Sequence, residues 1–70
     1  MGRDERIRFG SAVKAARQEL GWSQAQLGAQ VDMRQAYVSQ IETGAVSITI
    51  DTMAKLAKAL NRDIHELLKP

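Results

Sequence analysis

Helix punctuation constrains this 70-residue chain more than any other feature. Apolar residues recur three and four apart, and each such run is bounded by residues that start or stop a helix. Phe9, Ala12, Val13, Ala16 and Leu20 fall at i, i+3, i+4, i+7 and i+11, one face of a first helix. Gly21 is expected to end it by taking the left-handed conformation cheaply, while Gly10, inside the first turns, leaves its start open. Ser23 then opens a second helix. Its hydroxyl can accept from the Gln26 amide while the Gln26 side chain reaches back, a capping box. Trp22 and Leu27 flank the box as a hydrophobic staple, so Trp22 is read as structural rather than as a binding aromatic. Leu27 and Val31 face inward, with Gly28 between them.

A third helix lies in "RQAYVSQIETG" (34–44), which buries Val38 and Ile41 and stops at Gly44. Thr49 is the expected N-cap of a fourth, with Ile48 and Met53 as its staple, Met53, Leu56, Ala57 and Leu60 as its buried stripe and Asn61 at its end. Asp63 and Glu66 form a last capping box for a short helix carrying Ile64, Leu67 and Leu68. No strand signal competes. The expected fold is all-α, a compact five-helix domain over 1–70 with helices of roughly 7 to 15 residues and short loops.

Ten Lys and Arg against eight Asp and Glu give a net charge of +2, which permits nucleic-acid binding without arguing for it. Residues 23–44 hold only Arg34 against Asp32 and Glu42, so any phosphate attraction there must come partly from backbone amides at helix N-termini. The chain has no cysteine, hence no disulfide and no thiolate metal site. No apolar run approaches the ~20 residues a membrane span needs, and a cytoplasmic location is expected. His65 stands alone and reads as a surface histidine. Asp51, Asp63 and Glu66 sit where they complement helix dipoles. Five short helices leave little volume for a catalytic pocket, so no enzyme activity, cofactor, metal or small-molecule ligand is expected.

Helices two and three are separated by only a few residues around "VDM", with a small residue at Gly28 and a shared core of Leu27, Val31, Val38 and Ile41. That is a helix-turn-helix plan over about 23–44. The wider pattern, "RQELGWSQAQL" (17–27), "YVSQIETG" (37–44) and "TMAKLAKAL" (52–60), resembles the phage repressor and Cro (XRE-type) family of DNA-binding domains. The resemblance spans about residues 9–68 and is nearest to small stand-alone regulators such as restriction–modification controller proteins. It implies a transcriptional regulator, a repressor or autoregulator, that binds a palindromic duplex operator as a homodimer. An antitoxin-type module that masks a partner protein and binds DNA secondarily shares the same fold and is the alternative.

The resemblance also assigns roles to residues. Gln35, Ala36 and Gln40 lie where the family reads bases. Gln24 corresponds to its phosphate-binding glutamine, whose replacement is expected to weaken all sequences alike. Ser23, Arg34, Tyr37, Ser39 and Thr43 flank the reading face, with Arg34 open to either a phosphate or a guanine. Arg17 and Glu42 are expected to form an ion pair that braces helix three and leaves Arg17 near the DNA backbone. The expected dimerisation region is about 48–69, with Ile64 or Leu68 crossing the interface and Leu67 in the core; the other reading packs all three internally. The sequence departs from the family pattern at Asp32, where the turn is usually glycine, and at Arg34, where the cap is usually Ser, Thr or Asp. If Asp32 itself caps helix three, with Gln35 as its capping-box partner, the helix starts about two residues early.

Overall fold

A computed structural model describes residues 1–69; Pro70, the last residue of the expected domain, lies outside the described residues. The elements are α1 (Arg3–Glu19), α2 (Gln24–Val31), α3 (Gln35–Thr43), α4 (Ile50–Ala59) and α5 (Ile64–Leu68), with no strand among the described residues. All five helices contribute to one core, in which Phe9, Val13, Leu27, Val31, Val38, Ile41, Leu56 and Leu60 are almost fully buried.

The caps operate largely as the residue types dictate. Ser23 Oγ accepts from the Gln26 amide at 3.0 Å, and the Gln26 side chain accepts from the Ser23 amide at 2.7 Å. Thr49 caps α4 by accepting from the Thr52 amide. Asp63 and Glu66 form the reciprocal box at α5, and Asn61, at φ 55°, takes the left-handed turn after α4.

One expectation for α1 changes, and its start, left open by the sequence, is settled. The helix begins at Arg3, well before Phe9. It also ends at Glu19, so Leu20 steps off the buried face and is 44% exposed, and Arg17 occupies the inward position one turn after Val13. Gly10 is not a weak start but a contact point. A Cβ there would collide with the Ile41 carbonyl oxygen and stand 2.7 Å from that of Glu42. The backbone of α1 therefore rests directly on the last turn of α3. Nearby, Arg6 Nε donates to the Gly44 carbonyl at 3.2 Å, satisfying a backbone acceptor just beyond α3.

In the turn between α2 and α3, the alternative that gives Asp32 to α3 is overturned. Asp32 takes the left-handed conformation, φ 58° and ψ 46°, as the C-cap of α2. Aspartate tolerates this region because its short polar side chain bonds locally, so it stands where a glycine would be easier. Arg34 is the N-cap of α3 and makes no side-chain cap, which leaves Gln35 as the first helical residue. Gly28 meets this turn closely. A Cβ there would collide with the Met33 carbonyl oxygen, while the Met33 amide donates to the Gly28 carbonyl at 2.8 Å.

Gly10 offers a test by sign. In an exposed helix interior Gly→Ala gains roughly 0.5–1 kcal/mol. Here the added methyl meets backbone that cannot rotate away, so Gly10→Ala is expected to cost about 1–3 kcal/mol. A lower urea midpoint at unchanged slope is the expected result, and a gain in stability would refute the contact.

Candidate nucleic-acid interface

The outward face of α3 begins at its N-terminus, where Arg34, Gln35 and Ala36 are exposed, and continues through exposed Gln40 and Thr43. Tyr37 and Ser39 flank it at intermediate burial, and Tyr37 packs partly on the core. The Thr43 hydroxyl donates back to the Gln40 carbonyl at 3.2 Å. Ser23 and Gln24 stand at the start of α2, and the Ser23 hydroxyl is already engaged as a cap acceptor.

The carboxylate of α3 is paired inward. Arg17 and Glu42 are only 8% and 6% exposed. Arg17 Nε donates to Glu42 Oε2 at 2.7 Å, Nη2 to Glu42 Oε1 at 3.0 Å, and Nη1 to the Trp22 carbonyl at 2.7 Å. The Glu42 hydrogen bond raises the guanidinium pKa above its ordinary value; burial works against it, and the carboxylate's charge adds to it. Arg17 thus holds α3 to the end of α1 and to the entry of α2. Arg17 acts here as an internal brace, with little of its side chain facing outward.

Glu42 has a second partner. Gln24 Nε2 donates to Glu42 Oε1 at 3.0 Å, and Gln35 Nε2 donates to Gln24 Oε1 at 2.6 Å. Gln24 and Gln35 were assigned separate roles from sequence, phosphate and base; the structure joins them in one hydrogen-bonded chain. Reading along the chain could not find that link, since it spans residues 17 to 42. The available hint was chemical: a buried guanidinium carries five donors that must find acceptors. Arg6 on Gly44 was likewise missed, because nothing near Arg6 in sequence marks it as a cap.

Among the described residues no group of His, Cys, Asp and Glu is placed to hold a metal, and no helix is long and apolar enough to cross a membrane. Ile64 and Leu68 on α5 are half-buried, Leu67 is buried, and Ile50 at the start of α4 is 64% exposed.

The helix-turn-helix family model matches residues 13–67. The chain belongs to the repressor/Cro-like helix-turn-helix family. It is 34% identical over 65 residues to the control protein C.MunI of Mycoplasma sp, covering 91% of this chain and 88% of that one. It is 33% identical over 64 residues to the control protein C.BamHI of Bacillus amyloliquefaciens, covering 90% and 79%. The crystal structure of the restriction–modification controller protein C.AhdI from Aeromonas hydrophila superposes with a TM-score of 0.85 at 28% identity, covering 91% and 97%. The chain is a helix-turn-helix DNA-binding regulator related to controller proteins.

Removing one partner of a buried pair strands the other charge and typically costs about 3–5 kcal/mol. Arg17→Ala and Glu42→Ala are each expected to fall in that range by urea unfolding, with the double variant costing clearly less than the sum. A double-mutant cycle without coupling would show that the pair does not brace α3.

Proposed function

We propose that the protein binds a palindromic duplex operator as a homodimer and represses or autoregulates transcription in the cytoplasm, with α3 in the major groove. The observation that carries this reading is the chemistry of the α3 face. It offers amides and hydroxyls without an exposed acid, and the one carboxylate of α3 is turned inward onto Arg17. A glutamine donates and accepts at once, which matches adenine, where N6 donates and N7 accepts. Gln35 and Gln40 are the proposed base readers, and Ala36 is small enough to admit a thymine methyl. Ser23 and Gln24 approach the phosphates from α2, while Arg34, Tyr37, Ser39 and Thr43 border the groove.

One such domain touches only a few base pairs, and a two-fold dimer doubles the readout. It also sets two recognition helices one DNA turn apart, roughly 34 Å. The region 48–69 is the proposed interface. Support comes from the incomplete burial of Ile64 and Leu68 and from Ile50, the most exposed of the large apolar side chains. The relatives' designation as control proteins favours a regulatory role of the controller type.

Selection from a random duplex pool tests the reading face. Gln35→Ala and Gln40→Ala are each expected to lose ~1–3 kcal/mol of preference at one base position of a palindrome. If both recovered the same palindrome with the same preferences, α3 would not be the reading element. Sedimentation at on the order of tens of micromolar tests the dimer, whose population rises with concentration by mass action. Monomer alone, with and without DNA, would overturn it.

A further inference from the structure

The chain of side chains from Arg17 to Gln35 has a direction, and the direction is forced. A guanidinium has only donors and a carboxylate has only acceptors. Arg17 therefore gives its hydrogens to Glu42, and the group that meets Glu42 Oε1 from the other side must also be a donor. That group is Gln24 Nε2, at 3.0 Å. With its NH2 turned inward, Gln24 presents Oε1 outward, and only the NH2 of Gln35 can meet it, at 2.6 Å. Gln35 is then left with Oε1 as a free acceptor and one remaining N–H. Without such a restraint an exposed glutamine amide turns over freely and presents either end.

We infer that Glu42 is a positioning residue for base specificity: through Gln24 it fixes which end of the Gln35 amide faces the base. This rests on the reading of Gln35 as a base contact. An amide held with Oε1 forward and one N–H beside it fits adenine, accepting from N6 and donating to N7. It does not fit guanine, whose O6 and N7 both require donors. Glu42 never approaches the DNA in this scheme, and its effect on specificity passes entirely through the polarity of two amides.

Glu42→Gln removes that enforced polarity with nearly the same shape. Glu42 Oε1 accepts from Arg17 Nη2 as well as from Gln24, and Oε2 accepts from Arg17 Nε, so an amide in its place sets its NH2 against an Arg17 donor whichever way it turns. Neither orientation is then enforced on Gln24, and Gln35 can present either end of its amide to the base. A role in folding alone predicts weaker binding to every duplex in proportion, with the base preference intact.

The experiment measures ratios of affinity. Wild-type protein selects its site from a random duplex pool, and Gln35→Ala locates the position that Gln35 reads. Wild type, Glu42→Gln and Gln24→Ala are then titrated against two duplexes differing only in adenine or guanine at that position. Wild type is expected to favour adenine by on the order of tenfold. Glu42→Gln is expected to bring that ratio close to one. Gln24→Ala leaves the buried pair intact but cuts the relay, and is expected to flatten the ratio, so it decides the matter if Glu42→Gln does not fold. An unchanged adenine-to-guanine ratio in the folded variants, with Gln35→Ala relaxing the position, would overturn the relay alone. If Gln35→Ala relaxed no position, the base-reading role would fall first and the relay with it.

Discussion

The contact between Arg17 and Glu42 organises this molecule around its reading helix. Burying two charges is costly, and their attraction repays that cost only when geometry is close and remaining donors are satisfied. Both conditions hold: the pair is bidentate, and the third guanidinium nitrogen finds the Trp22 carbonyl. Replacing such a pair by packed apolar groups is often neutral or stabilising, so stability alone does not account for it. Its position does. It ties the end of α1, the entry to α2 and the last turns of α3 through directional bonds, where apolar contact would leave the rotation of α3 less defined. It also takes a carboxylate out of the surface that phosphates would approach.

Close backbone approaches hold α3 as well. Gly10 lets α1 rest against the carbonyls of Ile41 and Glu42, and Arg6 closes on the carbonyl of Gly44. From α2, Gly28 admits the turn that leads into α3. Three separate contacts thus fix where the helix lies, while its outward side chains remain free to meet a ligand. Preorganisation of this kind lowers the ordering cost of binding.

Local chemistry was readable along the chain, and long-range chemistry mostly was not. The capping boxes at Ser23 and Asp63, the cap at Thr49 and the stripe of α4 follow from spacing alone, because a cap and its partner lie three residues apart. The start of α1 did not follow. Gly10 reads as a helix weakness until the carbonyls of α3 are placed beside it, and those come from residues 41 and 42. Leu20 fits the periodicity of α1 but lies beyond its last turn, so period alone buried it wrongly. Asp32 was ambiguous for a related reason: aspartate serves both as an N-cap and as a left-handed residue. The close approach of Gly28 to Met33 leaves the chain turning at Asp32. Arg17 and Glu42 were legible as a pair through family resemblance, whereas the extension through Gln24 to Gln35 emerges only when α1, α2 and α3 are assembled.

On the proposed reading, the near-neutral face of α3 follows from what specificity requires. Attraction to phosphates supplies nearly all non-specific affinity, and it weakens steeply with salt. What matters in a genome is the ratio of specific to non-specific binding, multiplied by the number of competing sites. A helix rich in lysine raises both affinities together and improves that ratio little. Amides raise only the specific term, provided their donors and acceptors point the correct way. A net charge of +2 keeps the non-specific term small, and affinity must then be recovered by pairing two domains on one palindrome. A small regulator with a glutamine-lined reading helix, an internally neutralised glutamate and an incompletely buried last helix has a consistent design: each feature raises discrimination rather than adhesion.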